Sequence, residues 1–171
     1  SLQSTSGTVS VSASGGGVNN ISATGAIDID GDVVALTGPV IGTSIDIDAD
    51  NGAVTANNVT ATGTSVTIDA TGNIDVDDVT GTATGIARVV SSGGAVDVGD
   101  VTGTLGVTIS GTDVDLTGTN GKVIAAGGVT SITASGGGVN NISSAGAMDI
   151  DGAVVTISGA TSAVGNVDIT S

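Results

Sequence analysis

The chain contains no Phe, Trp or Tyr, no Cys, no His and no Glu, and one Pro and one Met in 171 residues. Each absence removes a class of protein. Without Cys there is neither a disulfide framework nor a thiolate metal site. Without His the commonest general base near neutral pH is missing. Without aromatic rings nothing large fills a wide sandwich core, so the interior must be narrow and lined by Val, Ile, Ala and Gly. Bases are almost missing as well, Arg88 and Lys122 being the only two. Nucleic acid is excluded as a partner, because binding it needs clustered Lys and Arg. The net charge of −15 also disfavours anionic membrane surfaces. No apolar run approaches the roughly 20 residues of a bilayer span, so membrane insertion is not expected. The chain opens at Ser1 with no signal-peptide pattern, which reads as an excised piece of a longer protein.

What remains is Gly (30 residues), Asp (all 17 acidic residues) and an abundance of Val, Ile, Thr, Ala, Ser and Asn. Straight-chain helix formers are scarce and β-branched residues plentiful, which describes strands and turns. The hydrophobic share of 39% is too high for a disordered polyanion. Short apolar starts recur at Val9, Ile27, Ile45, Val66, Ile86, Val107, Val129, Met148 and Val167, at steps of 18 to 22 residues that average about 20. Each unit holds a strand such as Ile45-Asp46-Ile47-Asp48, a Gly turn, a second strand such as Ile74-Asp75-Val76-Asp77, a polar corner, and a third strand such as Val79-Thr80-Gly81-Thr82. Three such short strands leave no room for hairpins with their own core. They suit one turn of a parallel β-helix, each strand pairing with its counterpart one coil away.

The predicted fold is therefore all-β: a right-handed parallel β-helix (β-solenoid) of about 20 residues per coil and eight to nine coils, about 38–43 Å long. It forms one segment, residues 1–171. Residues 12–34, SASGGGVNNISATGAIDIDGDVV, return almost unchanged as TASGGGVNNISSAGAMDIDGAVV at residues 133–155. That block duplication points to a longer repeat array. Inward Val and Ile are expected to stack from coil to coil, with small residues such as Ala61, Gly81 and Gly103 where the walls approach. Glycines at corners are expected to supply positive φ. Asn19-Asn20, Asn57-Asn58 and Asn140-Asn141 fall at a shared corner, where they bond nearby backbone or one another.

Units such as ATGNIDVDDVTGTATG (residues 70–85) and SGGAVDVGDVTGTLG (residues 92–106) resemble the repeats of filamentous-haemagglutinin-like exoproteins of two-partner secretion. The resemblance covers essentially the whole chain. It implies a right-handed β-helical shaft on a bacterial cell surface, hence an extracellular location. The secretion-targeting domain of such exoproteins is not recognisable in this piece, no RGD tripeptide occurs, and the heavy use of Asp departs from the family pattern.

Three chemistries are open to these residues. Asp28/Asp30, Asp46/Asp48, Asp75/Asp77, Asp113/Asp115 and Asp149/Asp151 place carboxylates two residues apart, on one face of a strand. Such pairs serve glycoside hydrolysis, but their recurrence in coil after coil reads as repetition and not as one tuned site. Hard oxygen ligands suit Ca²⁺, and stacked coils bring carboxylates near one another, so Asp28, Asp30, Asp46, Asp48, Asp75 and Asp77 form a candidate Ca²⁺ ladder, although neither an EF-hand loop nor the Gly-rich calcium nonapeptide occurs. Thr60/Thr62, Thr80/Thr82 and Thr102/Thr104, extended by Ser22/Thr24 and Thr117/Thr119, resemble the ranks of β-helical ice-binding proteins, broken at Thr37-Gly38-Pro39 and at Ser143-Ser144-Ala145.

The leading expectation is a non-catalytic shaft or fibre-forming segment needing no cofactor beyond possible Ca²⁺. Its partner is itself, by end-to-end stacking or by continuation of a longer chain, with no receptor or glycan specified. An ice-binding β-helix and a polysaccharide-active β-helix using paired Asp are the alternatives. Arg88 and Lys122 are expected to pair locally, Pro39 to mark a bulge or corner, and Met148 to pack in the core.

Overall fold

Alternation of aliphatic with polar residues sends every second side chain inward. A glycine or polar corner after each three to six residues then turns the chain before a hairpin can form. In the computed structural model, which describes residues 2–13, 17–82, 85–116, 123–136, 142–144, 146–152 and 161–171, this produces an all-β chain of parallel strands and no helix. Every pairing is parallel and joins a strand to its equivalent about 20 residues away. The result is a β-solenoid of about seven turns. The count is lower than the eight to nine expected from the sequence; residues 117–122, 137–141 and 153–160 lie outside the described residues.

Each winding has three walls, seen in the winding that begins at Ile45. The first wall is Ile45–Ala49, the second Val54–Ala56, the third Val59–Ala61. The third wall stacks nine strands, from Leu2–Ser4 to Thr161–Ala163. The first and second walls join into one network, because the strand Gly106–Leu116 runs through the corner between them.

The core is a set of aliphatic columns. Ile29, Ile47, Ile68, Val89, Ile109, Ile132 and Ile150 stack in register along the first wall. Val40, Val59, Val79, Val101 and Val123 stack along the third. All are buried, as is Met148. Gly103 sits in a close approach: an added Cβ would lie 2.9 Å from the Ala87 nitrogen.

Register departs from the sequence reading at two windings. Val66 pairs with Ala87, not Ile86, and Val107 pairs with Thr130, not Val129. Ile86 and Val129 instead flank Gly106 and point out, 47% and 52% exposed. Ala87 and Thr130 thereby take the inward positions that Ile27 and Ile45 hold in the same column of earlier windings. The Thr130 hydroxyl is consequently fully buried and has no hydrogen-bond partner among the described residues.

Corner glycines also differ from expectation. Among the described residues only Gly7 has a positive φ, at 110°. Most corner glycines answer a different need, the close passage of one winding over the next. A Cβ on Gly72 would lie 2.8 Å from the Gly52 carbonyl carbon, and one on Gly94 would lie 2.5 Å from the Asn73 nitrogen. The Asn corner bonds to backbone and not along an Asn stack: the Asn57 amide donates to the Thr37 carbonyl at 3.2 Å, and the Asp78 carboxylate accepts the Asp100 N–H at 2.8 Å. Pro39 occupies the corner position of Asn58 and Asp78, and its carbonyl accepts the Ile21 N–H at 3.2 Å. Asn140, Asn141, Thr117, Thr119 and Lys122 lie outside the described residues.

Candidate functional site

The walls carry different outer chemistry. On the first wall two outward rows run along the axis. One reads Asp28, Asp46, Thr67, Arg88, Thr108, Ser131, Asp149. The other reads Asp30, Asp48, Asp69, Val90, Ser110, Thr133, Asp151. The strand geometry thus brings Asp28, Asp30, Asp46 and Asp48 onto one face and adds Asp69, which the spacing did not single out. Burial against the wall raises the Asp46 carboxyl above its ordinary value, and the charges of Asp28, Asp69 and Asp30 push it the same way while Arg88 pulls it down. Asp48 is raised by burial first, then by Asp46, Asp69, Asp30 and Asp50. Arg88 closes the acidic rows through a 2.5 Å ion pair with Asp69.

Asp75 and Asp77 do not join this group. The Gly72 turn swings the chain to the second wall, where Asp75 pairs in register with Asp97 and Asp97 with Asp115. Asp77 sits beyond the strand Ile74–Val76, at the exposed corner. The six residues of the Ca²⁺ ladder are thus divided between two walls and a corner. Among the described residues no group of three or more acidic side chains is arranged to hold a metal ion. The rows are stacked like charges, which attract counterions along their length without defining a point of coordination.

Thr60, Thr80 and Thr102 stack in register on the outer face of the third wall. The second members of the Thr pairs are differently engaged. The Thr62 hydroxyl donates to the Gly42 carbonyl at 3.2 Å, Thr82 to Ala61 at 3.0 Å and Thr104 to Gly81 at 3.4 Å. These hydroxyls tie each winding to the one before. The Thr rank is flanked by Ile41 and Ile124, so the winding before Thr60 presents Val40-Ile41-Gly42 and not Thr37-Gly38-Pro39. No strand of this wall, from Leu2–Ser4 to Thr161–Ala163, contains a charged residue.

Two shallow furrows follow the edge between the first and second walls. One, of about 270 Å³, is lined by Asp48, Asp50, Asp69, Thr71, Arg88 and Ser92 among others. The other, of about 310 Å³, is lined mainly by hydroxyls and backbone, with Asp151 at its end. At the opposite edge, between the third and first walls, Ile86, Leu105 and Val129 project outward on successive windings, each about half exposed. The sequence reading missed this ridge by counting Ile86 and Val129 as core. Its signal was local: the corner positions in register with Ile86 hold Ser65 and, before that, Ser44.

No protein family, curated protein or solved structure matches this chain.

Proposed function

We propose that the chain is a non-catalytic structural shaft of an extracellular bacterial surface protein of the filamentous-haemagglutinin-like kind. The observation that carries this reading is the in-register stacking of one aliphatic column from Val11 to Ile169, under an outer surface whose chemistry changes freely between windings. A rod so built gains stability with every winding added, because each buries its neighbour's face and satisfies its backbone. Its outermost windings, with Leu2 at one end and Val167 and Ile169 at the other, are about half exposed and take a further winding, from the same polypeptide or from a second copy stacked end to end. Electron microscopy of the purified protein with and without Ca²⁺ tests the reading: rods or fibres are expected in both, and globular particles overturn it.

Ice binding is the second reading, favoured by the uncharged third wall and its stacked Thr60, Thr80 and Thr102. Thermal hysteresis that disappears on Thr80→Tyr supports it, and absence of hysteresis in the unaltered chain removes it. A polysaccharide-active reading rests on the furrow beside Asp48 and Asp69. It requires turnover of an acidic glycan that Asp48→Asn abolishes.

A further inference from the structure

We propose that Asn51 is a self-modifying position: its side-chain amide is lost to attack by the Gly52 backbone nitrogen, which leaves isoaspartate or aspartate in the turn between the first and second walls. The inference stands on the geometry of the windings and is independent of the shaft reading. Two observations select this residue.

First, Gly52 supplies an open nucleophile. It has no side chain to crowd the approach, and it reaches backbone conformations closed to other residues. Among the described residues its N–H donates to no acceptor, although its carbonyl accepts the Gly72 N–H at 2.8 Å. The other described asparagines lack this combination. Asn20, Asn58 and Asn73 precede Ile21, Val59 and Ile74, β-branched residues whose N–H groups are held by carbonyls of the next winding. Asn19 and Asn57 precede asparagines, and Asn166 precedes a valine. Asn120, which also precedes a glycine, lies outside the described residues.

Second, the amide is open to solvent. Asn51 is exposed, and its Nδ2 donates to the Asp32 Oδ1 at 2.8 Å in the winding before. That is the one side-chain bond it makes among the described residues, and between exposed groups such a bond opens to water at little cost.

The atoms balance with water as the co-reactant. Hydroxide takes the Gly52 N–H proton, and the nitrogen bonds to Asn51 Cγ. The Cγ–Nδ2 bond breaks, and Nδ2 takes a proton from water and leaves as ammonia. The succinimide so formed joins Cγ and the Asn51 main-chain carbonyl carbon through one nitrogen. Water opens it at Cγ to give aspartate, or at the main-chain carbon to give isoaspartate, whose backbone runs through the side-chain methylene. Nothing is oxidised or reduced.

Either product acts on the same turn. A carboxylate at this position replaces the donor that faced Asp32 and stands next to Asp50, so an attraction between windings becomes a repulsion. Isoaspartate also lengthens the main chain by one carbon. The next winding lies directly on this turn, since a Cβ on Gly72 would lie 2.8 Å from the Gly52 carbonyl carbon. The windings therefore loosen at the corner of Asp32, Asn51 and Gly72, while the columns elsewhere keep their neighbours.

Peptide mapping by tandem mass spectrometry tests this, on the folded chain incubated in heavy-oxygen water at neutral and at alkaline pH. The expected result is loss of the Asn51 amide with gain of one heavy oxygen, faster at the higher pH, as a mixture of isoaspartate and aspartate. Asn57, Asn58 and Asn73 keep their amides over the same period, and so does the variant Asn51→Gln, whose amide sits on a longer arm. Asn120 is read separately. In the converted protein the Gly72 N–H exchanges with solvent faster than in fresh protein, and the Val79 N–H, bonded to the Asp100 carbonyl, exchanges as before. An Asn51 that survives in the folded chain for a time that converts it in the urea-unfolded chain overturns the proposal. So does conversion of Asn57, Asn58 or Asn73 ahead of Asn51. Conversion of Asn51 with unchanged exchange at Gly72 overturns the loosening of the turn.

Discussion

Between Ile27 and Asp69 the outward rows of the first wall carry five carboxylates; between Arg88 and Thr133 they carry one arginine and no carboxylate. Beneath both stretches the inner column is the same, Ile47 and Ile68 in one, Val89, Ile109 and Ile132 in the other. The windings are held by what they bury, and what they display is set separately. Outer chemistry in a solenoid is a variable that the fold does not constrain, which is why one wall can be polyanionic along one stretch and free of carboxylates along another.

The largest effects should fall on the shared interior and be equal in the two stretches. Ile68→Ala and Ile109→Ala, each fully buried, are expected to cost about 2–5 kcal/mol apiece. Urea unfolding of the two variants measures this, and a markedly smaller loss in the uncharged stretch would break the equivalence.

Next comes the flaw that belongs to the uncharged stretch alone. Thr130 places a hydroxyl without a partner in a column otherwise filled by residues such as Val107 and Met148. Thr130→Val removes the desolvated hydroxyl and keeps the shape, so it should stabilise by about 1 kcal/mol. A loss of stability in the same urea assay would mean that the hydroxyl is satisfied.

The smallest effects concern the acidic stretch. The Asp46 and Asp48 carboxyls are raised above their ordinary 3.8, so their protonated forms favour the folded chain. The stability they contribute is fully present below 3.8 and is lost as pH rises through the raised values. Asp46→Asn should therefore stabilise slightly at neutral pH, by less than about 0.5 kcal/mol, as for other exposed positions. Arg88→Gln does the opposite. It leaves Asp69 without its 2.5 Å partner and pushes Asp46 further up, at a cost below about 1 kcal/mol because the pair is solvent-exposed. Carboxylate titration by NMR in the Arg88 variant checks the direction, and a fall in the Asp46 pKa would contradict it.

The strand positions, the period and the parallel stacking were legible because alternation and repetition are properties of the sequence itself. Ile45-Asp46-Ile47-Asp48 can be half buried in only one way. The slips at Ile86 and Val129 were not legible, because alternation fixes the two faces of a strand but not which of two neighbours at its start, Ile86 or Ala87, Val129 or Thr130, faces inward. The corner glycines misled for a similar reason. A sequence shows that a side chain is missing but not whether conformation or clearance forbids it. The Thr pairs looked equivalent, yet the turn after Ala61 sends Thr62 back to the Gly42 carbonyl while Thr60 faces outward. The third wall's lack of charge was written in its strands, but it became a surface only once those strands were stacked.

Engineered cysteines test the stacking most directly, in a chain that has none of its own. Thr60 and Thr80 are partners on adjacent windings, and Thr102 lies one winding further. Adjacent strands about 4.8 Å apart are within disulfide reach, and strands two windings apart, at roughly 9.6 Å, are beyond it. The double variant Thr60→Cys with Thr80→Cys should close an intramolecular disulfide on mild oxidation of dilute protein, and Thr60→Cys with Thr102→Cys should remain reduced. Ready closure of the second pair, or failure of the first in a folded chain, would contradict the stacking of one winding directly on the next.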